Sequence, residues 1–123
     1  MFGLFNNSDD NETKYAVITN AGPDDMATSL NAFEYARDLN DGGHHVEVYL
    51  DGQATKWPGE VTKNPDTPVA EVFEDIAEDD LIEGACGACA AAFETAEQCR
   101  RVGVAVSEEG HAPTMQKLAD DDY

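Results

Sequence analysis

The 123-residue, 13.3 kDa chain carries 26 Asp and Glu against 7 Lys and Arg, a net charge of −19 at pH 7. A chain of this order holds one domain, and spreads that charge over roughly 6,400 Å² of surface. Such a surface repels phosphate backbones and anionic headgroups, which excludes general nucleic-acid binding and docking on anionic membranes.

The N-terminus, Met1-Phe-Gly-Leu-Phe5, is apolar but short and lacks a basic flank, so it does not read as a secretory signal. With the polar stretch Asn6 to Glu12 behind it, residues 1–13 are expected to form a mobile arm ahead of one domain over 14–123. No run approaches the ~18 apolar residues of a membrane span. The first strand is Tyr15-Ala-Val-Ile-Thr19, ending in the turn Asn20-Ala-Gly-Pro23. Pro23, Asp24 and Asp25 suit the first turn of a helix. Met26, Leu30, Phe33 and Leu39 recur along it at helical spacing, and Gly42-Gly43 ends it. His45–Leu50 is a second strand running into Asp51-Gly52.

Residues 52–66 read as a loop, long for a compact domain, with Trp57 placed to cover the rim or fill a subunit interface. Thr67-Pro68 is a cap-plus-first-turn pair for a helix burying Val69, Val72, Phe73 and Ile76. Leu81–Ala85 is a third strand, and Cys86-Gly-Ala-Cys89 opens a helix expected to reach about Arg100. Val102–Val106 is a fourth strand and Ala112–Ala119 a short last helix. The alternation predicts an α/β fold: a three-layer sandwich with a mainly parallel sheet of about four strands and helices on both faces.

Leu, Ile, Val and Phe make up about 19% of the chain, close to the rough 20% line at which a highly charged sequence is suspected of disorder. Their concentration in short runs, together with 17 alanines, argues instead for a small core inside an acidic shell. The acids run from Asp9 to Asp122 without clustering. That distribution fits a solvated surface adapted to high salt better than an acidic docking patch.

In open α/β sheets, ligands bind outside the carboxyl ends of the strands. Asn20-Ala-Gly-Pro23, Asp51-Gly52, Gly84-Ala-Cys86-Gly87 and Ser107–His111 meet there by topology, bringing a thiol and an imidazole to one rim. No Gly-x-Gly-x-x-Gly or phosphate-binding Lys follows the first strand, so nucleotide binding is not indicated. Cys89, Ala92, Phe93, Ala96 and Cys99 fall on one helical face, so Cys89 and Cys99 read as small buried hydrophobes. Cys86 sits at the strand-to-helix junction, where free N–H groups favour a thiolate. Gly84 and Gly87 leave room there for a bound sulfur or oxyanion. The C-x-x-C spacing also fits a dithiol redox pair. A zinc site would need Cys99 and His111 as well, and Cys99 falls about three helical turns away, so no metal is expected. His111 is a candidate base for Cys86 or a solvated loop histidine. His44 and His45 begin the second strand at the opposite edge.

Tyr15 to Pro23, Val46-Glu-Val-Tyr-Leu-Asp-Gly52 and Ala85-Cys-Gly-Ala-Cys-Ala-Ala-Ala92 resemble the DsrE/DsrF-like (YchN-like fold) sulfur-relay proteins over roughly residues 14–120. The resemblance implies a small α/β subunit assembling as a homotrimer or homohexamer. It also implies a cysteine at the Cys86 position that accepts sulfane sulfur as a persulfide and passes it to a partner. Two departures stand out. The chain ends at Asp120-Asp-Asp-Tyr123, where the family usually carries a fifth strand, and Cys89 is not universal in the family.

These readings converge on a cytoplasmic sulfur carrier, three cysteines without an export signal favouring a reduced compartment. Its catalytic candidates are Cys86, Cys89 and His111. Asn20, Gly22, Gly84 and Gly87 are the candidate substrate contacts, sulfur donor and acceptor proteins the partners, and no cofactor is expected. The alternatives are a non-catalytic oligomeric α/β module and a Cys86–Cys89 dithiol oxidoreductase.

Overall fold

In the computed structural model, residues 13–108, 110–112 and 115–123 are described; the arm expected over residues 1–13 lies outside them except for Thr13. β1 (Lys14–Thr19) and β2 (His45–Leu50) pair in parallel and in register, from Lys14 opposite His45 to Thr19 opposite Leu50. β3 (Ile82–Ala85) joins the other side of β2, also parallel, giving the order β1-β2-β3. The period-2 alternation of β2 sorts its side chains. Val46, Val48 and Leu50 enter the core with Phe33, Trp57 and Phe73, while the His45 and Glu47 side chains meet each other and Tyr49 on the opposite face.

α1 (Met26–Asp41) starts three residues later than Pro23 suggests. Asp25 is the cap, its carboxylate accepting the Thr28 N–H at 3.3 Å. Its C-terminus is Gly42, followed by Gly43 at φ +90, a conformation glycine adopts without strain. α3 (Pro68–Glu78) follows the sequence reading closely: Thr67 Oγ1 accepts the Ala70 N–H at 3.1 Å, and Val69, Val72, Phe73 and Ile76 are all buried.

The expected loop over 52–66 is instead largely helical. A 3-10 turn over Gly52–Lys56 leads directly into α2 (Trp57–Lys63). Trp57 drives this: it is only 2% exposed, packs edge-on against Phe33, and donates its indole N–H to Ala21 O and Ser29 Oγ, both at 3.0 Å. Burying the chain's one tryptophan outweighs the loop-like composition around it. Trp57 is therefore a core residue of this fold.

The helix expected from Cys86 to Arg100 is two helices, α4 (Gly87–Phe93) and α5 (Ala96–Arg101). Glu94 takes a left-handed conformation (φ 56), and the Thr95 N–H reaches back to Ala90 O at 2.8 Å. That is the closure by which helices commonly end. The break rotates the expected apolar face: Cys99 is buried, but Ala92 is exposed and Cys89 only half-buried, while Ala90 points inward.

The expected fourth strand is reduced to one parallel bridge, Ala85 with Val106, flanked by Ala85 N–H to Ala105 O at 2.8 Å and Ser107 N–H to Ala85 O at 3.1 Å. Its first half is committed elsewhere. Gly103 and Val104 donate to Arg100 O and Cys99 O to close α5, and Gly103 has φ +86. The class remains α/β with a parallel sheet. Its C-terminal α6 (Met115–Asp120) is followed by Tyr123, whose hydroxyl meets His45 Nε2 at 2.9 Å on the face away from Val46 and Val48.

Candidate functional site

The parallel ladder delivers the site residues to one rim. One residue past the end of β2, the Asp51 N–H donates to Thr19 O of β1 at 2.8 Å; one residue past the end of β3, the Cys86 N–H donates to Leu50 O of β2 at 2.9 Å. Asp51 and Cys86 are thus each held by one more rung of the sheet. Cys86 has extended geometry (φ −63, ψ 116) and caps α4 with its sulfur, which accepts the Cys89 N–H at 3.2 Å. The C-x-x-C spacing places the second cysteine's amide one turn above the first sulfur.

Ser107 and Gly110 fasten the His111 segment across this junction. Ser107 Oγ accepts the Gly87 N–H at 2.7 Å and donates to Gly110 O at 3.2 Å, and Gly110 O also accepts the Ala88 N–H at 3.1 Å. His111 Nδ1 then lies 3.5 Å from Cys86 Sγ, with Gly110 O at 3.7 Å from the same sulfur. Cys86 is wholly buried, whereas His111 is exposed and borders a cavity of about 320 Å³ shared with Tyr49, Gly84 and Lys117.

The Cys89 thiol donates to Asp51 Oδ1 at 3.3 Å, and the same oxygen accepts the Gly52 N–H at 3.0 Å. Partial burial and the hydrogen bond with Cys86 push the Cys89 thiol up to about 11. It therefore stays protonated at neutral pH. Asp51, Cys86, Cys89 and His111 present ligand-type atoms that all lie within 4.8 Å of one another.

Cys86, Cys89 and His111 meet here, and Asp51 joins them. Asp51 appears in the sequence only as one of several rim residues; the signal available was its place one residue past the end of β2. Gly87 is at the centre of the junction, and Gly84 is buried, with Ala105 O 3.5 Å from where a Cβ would stand. Asn20 and Gly22 occupy the β1 turn, where they pack against Gly52 and Gln53. Cys99 is separate, its thiol donating to Thr55 O at 3.4 Å. His44 and His45 are bound to Thr13 N–H and to Glu47 and Tyr123 at the other end of the sheet. A larger groove of about 680 Å³ between α2 and α5 has no cysteine or histidine among its described lining residues.

No curated protein and no solved structure matches this chain. The model of the DsrE/DsrF-like family matches residues 13–121, a span that includes both sheet ends, the C-x-x-C junction and His111. The chain belongs to the DsrE/DsrF-like family.

Proposed function

We propose that this protein is a sulfur carrier in which Cys86 accepts sulfane sulfur as a persulfide and passes it to an acceptor thiol. The observation that carries the reading is the setting of Cys86 Sγ: a backbone N–H from Cys89 at 3.2 Å and an imidazole nitrogen of His111 at 3.5 Å. The amide is placed to stabilise negative charge on sulfur, and the imidazole to take and return its proton. Family membership supports sulfur-relay chemistry in general.

The exchange balances without an external oxidant or reductant. The Cys86 thiolate attacks the outer sulfur of a donor persulfide, R–S–SH. A Cys86 S–S bond forms as the donor S–S bond breaks, and the donor leaves as a thiolate that takes up a proton. An acceptor thiolate then attacks the outer sulfur on Cys86, the Cys86 S–S bond breaks, and Cys86 is again a thiolate. Because Cys86 is buried, the Gly110–His111 segment over its sulfur must move aside when a donor docks.

Three free cysteines fit a reducing compartment, and we assign the protein to the cytoplasm on that ground. No helix among the described residues is long and apolar enough to cross a membrane. Assembly as a homotrimer or homohexamer belongs to the same reading; exposed Tyr15, Ile18, Met26 and Tyr35 offer apolar area for it.

Incubation of the reduced chain with a low-molecular-weight persulfide donor, followed by mass spectrometry of peptides, tests the assignment. An adduct of about 32 Da, one sulfur atom, is expected on Cys86 and absent in Cys86→Ser. Recovery of a Cys86–Cys89 disulfide with no adduct would replace the carrier with the dithiol reading. Unmodified thiols throughout would support the non-catalytic module.

A further inference from the structure

The geometry points to a tetrahedral zinc-type metal site formed by Asp51, Cys86, Cys89 and His111. Four protein ligands around Zn²⁺, with Zn–S of about 2.3 Å and Zn–N or Zn–O of about 2.0–2.2 Å, set S···N and S···O edges of about 3.5–3.7 Å. The Cys86 Sγ to His111 Nδ1 separation is 3.5 Å and the Cys89 Sγ to Asp51 Oδ1 separation is 3.3 Å. All four ligand atoms lie within 4.8 Å of one another, so small side-chain rotations close the remaining edges.

The outer contacts also suit a metal. Cys86 Sγ accepts the Cys89 N–H and Asp51 Oδ1 accepts the Gly52 N–H, the kind of second contacts that orient thiolate and carboxylate ligands. Asp51 and Cys86 are fixed by sheet-end hydrogen bonds, so half of the site is preformed on rigid backbone. Two sulfurs select against Mg²⁺ and Ca²⁺, which take oxygen ligands, and favour a borderline-soft ion such as Zn²⁺. Both sulfurs bind as thiolates, and any thiol proton they carry is released to solvent. Two thiolates and one carboxylate then surround a dication, leaving a local charge of only about −1. Zinc does not need Cys99, which the fold holds on Thr55.

Metal occupancy also takes the Cys86 lone pair that would attack a sulfur donor. This consequence, a metal-gated carrier, rests on the sulfur-carrier reading; the site itself does not.

Co²⁺ is the probe, added to the reduced full-length chain in excess Mg²⁺ so that exposed carboxylates are already filled. The expected result is the visible absorption of tetrahedral, thiolate-ligated cobalt, saturating at one ion per chain and erased by Zn²⁺. Asp51→Ala and His111→Ala should each weaken cobalt binding more than about tenfold, a loss that even outer contacts of metal ligands can cause. Cys99→Ser should leave it unchanged, and circular dichroism confirms that each variant is folded. Absence of the thiolate–cobalt band, or a band that persists at unchanged affinity in Asp51→Ala or His111→Ala, overturns the site. Sulfur loading is scored separately. One equivalent of Zn²⁺ should suppress the Cys86 adduct and a chelator restore it. A failed adduct in metal-free protein would count against the carrier and leave the cobalt result standing.

Discussion

The Gly87 N–H and Ser107 Oγ lie 2.7 Å apart across twenty residues of sequence, and the contact leaves no room for a side chain at Gly87. A Cβ there would fall 1.8 Å from Ser107 O. This junction is what fastens the His111 segment over Cys86.

Gly87→Ala should therefore destabilise the protein by about 1–3 kcal/mol, since an added methyl in a close-packed site forces backbone to move. Gly42→Ala is the control. Gly42 has φ −80, and a Cβ there would meet its nearest neighbours at an ordinary 3.5 Å. That change should be neutral or stabilising by up to about 1 kcal/mol, by reducing the freedom of the unfolded chain. Urea unfolding of both variants decides the matter; equal midpoints would show that the Ser107 wall yields without cost.

Trp57 combines burial with two hydrogen bonds, and two substitutions separate these contributions. Trp57→Ala should cost about 3–5 kcal/mol through the cavity it leaves. Trp57→Phe keeps most of the volume but removes the indole donor to Ala21 O and Ser29 Oγ. Ser29 Oγ can still donate its one proton to Ala21 O, so that carbonyl keeps a partner and the loss should be nearer about 1 kcal/mol. Thermal unfolding followed by circular dichroism checks the order; comparable losses from the two would mean that the indole N–H, and not its bulk, dominates.

Cys99 gives a pH dependence with a definite sign. Burial pushes its thiol up from the ordinary 9.0 to about 11, with the nearby Arg100 charge pulling slightly the other way. The folded state thus prefers the neutral thiol. The stability this contributes is fully present below pH 9, where both states are protonated, and is lost as pH rises from 9 towards 11. Stability measured across that window should fall less steeply in Cys99→Ala, and Cys99 should resist alkylation at pH 8 in the native protein. Rapid native-state labelling of Cys99 would falsify its assignment as a core thiol.

The net charge of −19 predicts how subunits associate. Like-charged protomers assemble only where repulsion is screened or the contact is largely apolar, and screening lengths grow from about 3 Å in 1 M salt to about 30 Å in 0.01 M. Sedimentation across a salt series should show oligomers loosening as ionic strength falls. Tightening at low salt would place attractive charge pairs at the interface.

Much of the fold was legible in local patterns. The Thr67-Pro68 cap and the Val69, Val72, Phe73, Ile76 face specify α3 because caps and 3.6-residue periodicity act within one or two turns. The same holds for β1, β2 and the stop at Gly42-Gly43. Local pattern misled where a distant partner outweighed it. Trp57 turned a loop-like stretch into helix by reaching Phe33, Ala21 and Ser29. Val102–Val106 has the alternation of a strand, but the closing turn of α5 takes its first residues.

For the site, the sequence by itself determined the acidic exterior, the parallel α/β framework and the placing of Cys86 between a strand and a helix. Charge, periodicity and capping chemistry are local properties, readable one segment at a time. Only the tertiary structure decided which groups face the Cys86 sulfur. It also decided that Asp51 completes a four-residue cluster from 38 positions away from Cys89. A parallel sheet brings the ends of successive strands together whatever the length of the crossovers between them. Which side chains then touch depends on register and on the turn that Ser107 and Gly110 impose, and neither leaves a mark in the local sequence.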